Sequence, residues 1–226
     1  SVSIIGQVND SRFPAIRHGV PVVSGVGHDT AAAFLAANPE PDELVLSLGT
    51  WAMLGRQTRT LQGLPESWSP LGITPRRWMA VCALPGMWLQ EQCIRQWRQE
   101  GLFPGYEEYD RAVRESKCQA SFDAKSPELF NPDDMTRQIQ KLCEQNGSET
   151  PKTIGDFGRT INKSLACCYH LATSKHGMNE GKLTVMGGAL NNTHLMQELE
   201  KYFRVKKGAV EASSLGNVMA QSAAMH

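Results

Sequence analysis

A chain of 226 residues, 41% of them hydrophobic, can bury a core large enough for one sizeable domain or two small ones. Its 23 basic and 23 acidic side chains cancel to a formal net charge of +0, so no single-sign field exists to draw it to nucleic acid or to an anionic membrane. The aromatic residues, 7% of the chain, do not alternate with basic ones as on a nucleic-acid-binding face, and no apolar run reaches the length of a membrane span. The six cysteines (82, 93, 118, 143, 167 and 168) form no C-x-x-C pair and have no histidines at zinc-ligand spacing, which predicts reduced thiols and a cytoplasmic setting.

In chain order, residues 1–18 show little periodicity and read as a lead-in from a preceding domain. The chain starts without Met and stops within an apolar helical stretch, so both ends read as cuts from something longer. Val20–Ser24 reads as a strand that turns at Gly25–Gly27 into His28-Asp29-Thr30, with Asp29 or Thr30 capping a helix over Ala31–Ala37. Leu44–Leu48 and Trp51–Arg56 form a hairpin-like pair around Gly49-Thr50, Thr58–Pro75 reads as loop, and Trp78–Leu84 as the next strand. Helices are predicted over Met87–Gly101, Pro104–Lys117 and Met135–Glu144, with Ser121–Asp134 irregular. The strongest runs over Thr153–Ser174, opened by a capping-box-like Thr153-x-x-Asp156. Two late β-turn-α units follow. Lys182–Met186 leads through Gly187-Gly188 to a helix over Leu195–Phe203, and Arg204–Lys206 leads to a last helix. Strands that lead glycine-rich turns into helices predict an α/β domain.

Three places carry candidate chemistry. Asp29, taken alone, serves as a helix cap; at a strand end in a closed cleft it is a general base for a hydroxyl. Gly49-Thr50 at a tight turn offers N–H groups and a hydroxyl to a phosphate oxygen. Gly187-Gly188 lets a ligand approach the backbone, and Asn192 can hydrogen-bond to a base or ribose. Neither a G-x-G-x-x-G fingerprint nor a Walker A sequence is present. Trp88 and Trp97 read as a core-facing helix stripe, and Cys167-Cys168 as packing.

In this order, Gly-His-Asp-Thr (27–30), Leu-Ser-Leu-Gly-Thr-Trp (46–51), Gly-Gly-Ala (187–189) with Asn192-Thr193, and Glu-Ala-Ser-Ser-Leu-Gly-Asn (211–217) resemble the C-terminal half of the FGGY carbohydrate kinases. Within that family they are most similar to the rhamnulokinase branch. The resemblance runs from about Gly19 to the C-terminus and makes residues 19–226 an ATP-binding domain. It implies the ribonuclease-H-like fold of actin, hexokinase and the Hsp70 ATPase, a mixed sheet with flanking helices. It also implies ATP and Mg²⁺ as cofactors, a ketose such as L-rhamnulose as substrate, and a partner N-terminal kinase domain. By resemblance Asp29 is the catalytic base, with His28 and Thr30 beside the sugar. Gly49 and Thr50 would hold the terminal phosphates, Gly187 and Gly188 would pack on adenine and ribose, and Asn192 would line the adenine pocket. The acid would then sit at the end of the first buried strand, facing two glycine-bearing turns of the same sheet.

Some positions depart from the family. Ala83 stands where a sugar-contacting Asn is usual, and a nucleotide-contacting Gln falls on or near Glu91, between Gln90 and Gln92. A Gly-Gly turn usual before the third strand is missing from Ser67–Arg77. A fuculose-like ketose is therefore equally admissible, and a non-catalytic nucleotide-binding or interaction module is the alternative function. An excised domain would expose apolar surface, so self-association is also expected.

Overall fold

The computed structural model describes residues 15–17, 20–22, 26–41, 43–59, 62–74, 77–174 and 181–224. It begins with a short antiparallel pair, β1 (Ala15–Arg17) and β2 (Val20–Val22). Here the structure corrects two expectations. A strand lies inside the predicted lead-in, and Val20–Val22 pairs only with it rather than joining the main sheet. Ser24 and Gly25 lie outside the described residues.

Helix α1 (Asp29–Ala37) follows, then β3 (Leu44–Leu48), β4 (Trp51–Thr58), β5 (Ser69–Thr74) and β6 (Arg77–Pro85). Five helices come next: α2 (Trp88–Gln99), α3 (Tyr106–Glu115), α4 (Met135–Gln145), α5 (Ile154–Ser174) and, after β7 (Lys182–Met186), α6 (Thr193–Glu200). β8 (Arg204–Lys207) and α7 (Ala212–Ala224) complete the chain. The six-stranded sheet has the order β5-β6-β4-β3-β7-β8; β5, β6, β4 and β3 run antiparallel to their neighbours, and β3, β7 and β8 are parallel. β5 falls in the predicted loop, because Pro70 and Gly72 read as breakers. At a sheet edge a proline removes no ladder bond that the fold needs.

Leu44, Val45, Leu46 and Leu48 are all buried, so β3 is covered on both faces. α1 and α7 pack on one face through Ala33, Phe34 and Ala212 against Val45, Val81 and Met186. α2 to α6 cover the other, where Trp97, Tyr109, Ile161 and Tyr169 meet Leu46, Leu48 and Leu54. Two parallel neighbours are tied at their lower end by Glu43, whose buried carboxylate accepts from the Thr184 hydroxyl of β7. Burial opposes charge on Glu43, but that bond, the Glu40 N–H and the cations Lys206 and Lys182 outweigh it and hold its pKa below the usual value. The cysteines are free, and burial pushes the Cys168 thiol up to about 12, as fits packing rather than nucleophilic use.

The predicted capping box at α5 forms with Asp in place of the usual Glu. The Asp156 N–H donates to Thr153 Oγ1 at 3.1 Å, and the Thr153 N–H donates to Asp156 Oδ2 at 3.0 Å. At α4, Asp134 accepts from the Arg137 N–H at 2.8 Å. For both carboxyls burial alone would raise the pKa, but their hydrogen bonds dominate and lower it from 3.8. A folded pKa below the unfolded one stabilises above the unfolded value and is lost as pH falls through the folded value. Urea midpoints should therefore hold near neutrality and drop once pH passes below 3.8, and Asp134→Ala should cost about 1 kcal/mol at neutral pH while flattening that drop.

Candidate functional site

Gly49 and Thr50 join β3 to β4. The Gly49 N–H donates to the Trp51 carbonyl at 3.1 Å, so only one of the two expected N–H groups is free for a ligand. Both carbonyls of the turn face inward: Gly49 O accepts from the Met87 N–H at 2.9 Å and Thr50 O from the Trp88 N–H at 3.0 Å. Those N–H groups open α2 and have no acceptor within their own helix. Gly86 makes the approach feasible, since a Cβ there would stand 2.7 Å from each of the Gly49 and Thr50 carbonyl oxygens. Trp51 and Trp88 stack with centroids 6.4 Å apart, and the Thr50 hydroxyl donates to Glu91 Oε1 at 3.4 Å. Among the described residues the Thr50 N–H has no backbone partner. The turn thus hides its carbonyls and leaves one N–H, that of Thr50, for an anion, while the Thr50 hydroxyl is held by Glu91.

The second turn lies alongside. Because Ser47 pairs with Met186 in the parallel ladder, Gly187 falls next to Leu48. Gly187 has φ +99°, and a Cβ there would come within 2.5 Å of the Leu48 carbonyl oxygen. It is glycine because the fold demands it. Gly188 differs: its φ is ordinary and a Cβ would meet nothing within 4 Å. At Gly49 the nearest atom would be 4.0 Å away. Nothing in the packing accounts for glycine at these two positions; what it leaves open is close approach to the backbone.

Asn192 sits at the start of α6, and its amide is already committed. Its Oδ1 accepts from the Leu195 N–H at 3.0 Å and from Asn162 Nδ2 at 3.2 Å. Its Nδ2 donates to Asn162 Oδ1 at 2.9 Å and to Gln90 Oε1 at 3.4 Å. Both donors and both lone pairs are used, so Asn192 borders the site as a cap and a holder. The first turn of α2 bridges the two sheet turns, with Glu91 reaching Thr50 and Gln90 reaching Asn192. Sequence reading placed a family Gln only somewhere near 90–92; the side-chain bonds distinguish the three positions. Asn162 was missed altogether, because within the α5 stripe it reads as one more helical residue.

His28, not Asp29 or Thr30, is the N-cap of α1: its Nδ1 accepts from the Thr30 N–H at 3.1 Å. Asp29 is the first helical residue, and its side chain is 79% exposed. Its Oδ1 lies 3.0 Å from His28 Nδ1 and accepts from the Thr30 N–H at 2.6 Å. Thr30 itself is buried. The sheet locates the far end of α1. Arg77, opening β6, donates to Asn38 Oδ1 at 2.7 Å beyond the last residue of α1. In the β4–β6 ladder that end is the Thr58 end, whereas Trp51 pairs with Pro85 at the other. Nine helical residues, about 13 Å by the usual rise, carry the chain back from Asn38 to Asp29, about half the length of the eight-residue β4. No hydrogen bond among the described residues joins Asp29 to either glycine turn.

Residues 44–225 match the model of the C-terminal domain of the FGGY family of carbohydrate kinases. The chain belongs to that family. The rhamnulokinases of Yersinia pestis (strain Pestoides F) and Yersinia pseudotuberculosis serotype I are 29% identical over 213 residues, 89% of this chain. The chain spans 43% of the length of these relatives. Among solved structures, xylulose kinase from Rhodospirillum rubrum superposes with a TM-score of 0.67 at 12% identity, covering 93% of this chain and 44% of that one. Plasmodium falciparum glycerol kinase with ADP gives 0.58 at 14% identity, covering 91% and 43%. The FGGY sheet order found here, with its antiparallel and parallel halves, is thus the actin- and hexokinase-like fold expected from the sequence. Among the described residues no helix is long and apolar enough to cross a membrane.

Proposed function

We propose that this chain is the ATP-binding, base-donating domain of a sugar kinase. The nucleotide would lie across the two glycine turns, with the sugar hydroxyl at Asp29. The observation that carries this reading is the pair Gly49 and Gly188, which no packing in the fold requires to be glycine and which stand at one end of adjacent strands. The Thr50 N–H, with its hydroxyl once that leaves Glu91, would hold terminal phosphate oxygens, Gly188 would flank adenine and ribose, and the Gln90–Asn192 pair would border the base. Asp29 would take the proton of the attacking sugar hydroxyl, with His28 and Thr30 beside it. Phosphoryl transfer asks mainly for positioning and charge stabilisation, which this arrangement suits.

Among the described residues no group of three His, Cys, Asp or Glu could cage a metal. Mg²⁺ fits here as an ion bound chiefly through nucleotide phosphates and water, where it would neutralise phosphate charge. A ketose such as L-rhamnulose is the substrate favoured by the rhamnulokinase similarity, in a cytoplasmic setting. A further domain would supply the opposite wall of the cleft, so an ADP-release assay on the 226-residue chain alone should show negligible turnover. Leu215, Val218 and Met219, exposed along α7, are where self-association of the chain would begin.

Two neighbouring glycines test the nucleotide site. Gly188→Ala should leave the urea midpoint within about 0.5 kcal/mol of the parent while weakening ADP binding about tenfold by calorimetric titration. Gly187→Ala should instead destabilise by about 2 kcal/mol, through its φ and the Leu48 carbonyl. Unchanged ADP affinity in Gly188→Ala would remove the nucleotide from this turn.

A further inference from the structure

Behind Asn192, between α5 and α6, lies a line of buried polar groups that the proposed chemistry does not use. Asn162, His194 and Glu198 are 1%, 6% and 4% exposed. Asn162 Nδ2 lies 3.3 Å from His194 Nδ1, and His194 Nε2 lies 3.5 Å from Glu198 Oε1. Lys201 donates to both Glu198 oxygens at 2.6 Å. A single backbone group sets the direction of every bond in this line. The Leu195 N–H can only donate, so Asn192 must turn Oδ1 towards it and Nδ2 towards Gln90 and Asn162 Oδ1. Asn162 Nδ2 must then face His194, whose Nδ1 can only accept, leaving the proton on Nε2 towards Glu198.

We propose that Asn162 and His194 are positioning residues that lock the Asn192–Gln90 pair in one orientation at the base edge of the site, and that protonation of His194 releases the lock. This rests on the nucleotide reading given above. With a proton on Nδ1, His194 would set donor against donor at Asn162. An Asn162 flip repairs that contact only by turning its Nδ2 against Asn192 Nδ2, so the strain passes to Gln90. The polar and charged groups around the imidazole are Glu198 on α6, Lys201 just after it, Arg159 on α5, and Asp110 and Arg114 on α3, the last two lining the same small void as Asn162 and His194. Tyr109 lines it too, its hydroxyl buried and without a hydrogen-bond partner among the described residues. Burial, helped by Arg159 and Lys201 and opposed by Glu198, keeps His194 below the ordinary imidazole value, so the lock is closed at neutral pH and opens on acidification.

The test uses the full chain, its His194→Asn variant, which can accept from Asn162 but cannot be protonated there, and Asn162→Leu. Nitrogen-15 spectra without nucleotide should show His194 neutral with the proton on Nε2, and the Asn192 side-chain amide signals moving with its titration. A proton on Nδ1, or Asn192 signals indifferent to that titration, overturns the proposal. In ADP titrations, affinity should fall about tenfold from about pH 8 to about pH 5 in the parent. It should be intact in His194→Asn and fall there only by what protonation of the ADP terminal phosphate itself contributes, and be weak at both pH values in Asn162→Leu. A parent-like pH profile in His194→Asn also overturns it. Absence of ADP binding by the parent at the higher pH would instead defeat the nucleotide reading, and the nitrogen spectra would still decide the lock.

Discussion

Asp29→Asn, made in this chain together with the N-terminal domain that the proposed function requires, should lower kcat for ketose phosphorylation by about 10²- to 10⁴-fold. KM for ATP should change little. The reason is the isolation of this carboxylate: it is exposed, its hydrogen bonds run only to Thr30 among the described residues, and His28 Nδ1 lies beside it at 3.0 Å. The α1 N-terminus is held by His28 Nδ1 rather than by Asp29 alone, so the amide should fold like the acid. A coupled ADP assay reads the rate and a thermal melt checks the fold. A variant with parental kcat would make the alternative, a binding module that keeps the kinase fold, the better reading.

The second large effect is on stability. Gly216 of α7 lies so close to α1 that a Cβ would sit 1.8 Å from the Ala32 carbonyl oxygen, nearer than any contact allows. Gly216→Ala must push the two helices apart, and an overpacked contact against backbone should cost about 3 kcal/mol. For a chain of this size that is a fall in melting temperature of about 10 °C. Ser214→Ala, on the exposed side of the same helix, should be silent and serves as the control. If Gly216→Ala melts like the parent, α7 does not pack on α1 in this register. The displaced α1 would also carry Asp29 with it, so this distant substitution should cut kcat in the two-domain enzyme.

Where the pattern was local, the sequence revealed it. The glycine-bounded apolar runs gave β3, β4, β6 and β7, and Thr153 with Asp156 gave the start of α5. β5 was hidden by its own Pro70 and Gly72, residues that an edge strand tolerates and a central strand does not. The cap at α1 was misassigned because histidine is outside the usual capping set, although its ring nitrogen accepts as a carboxylate oxygen does. Asn192 was singled out, but its bonds to Asn162 and Leu195 turn it from a ligand contact into a holder. That role depends on a residue on another helix, and no reading of spacing along α6 could supply it.

The helix that begins at Trp88 is fastened by its first N–H groups to the Gly49-Thr50 turn and by Gln90 to Asn192. If a nucleotide binds as proposed, the distance between its two ends is therefore set before it arrives. None of the association free energy would go into drawing those ends together, and a ligand shorter or longer than the preset span could not recruit the second contact by moving the first. Shortening the phosphate chain should thus act as the loss of whole contacts, seen as faster departure rather than slower arrival.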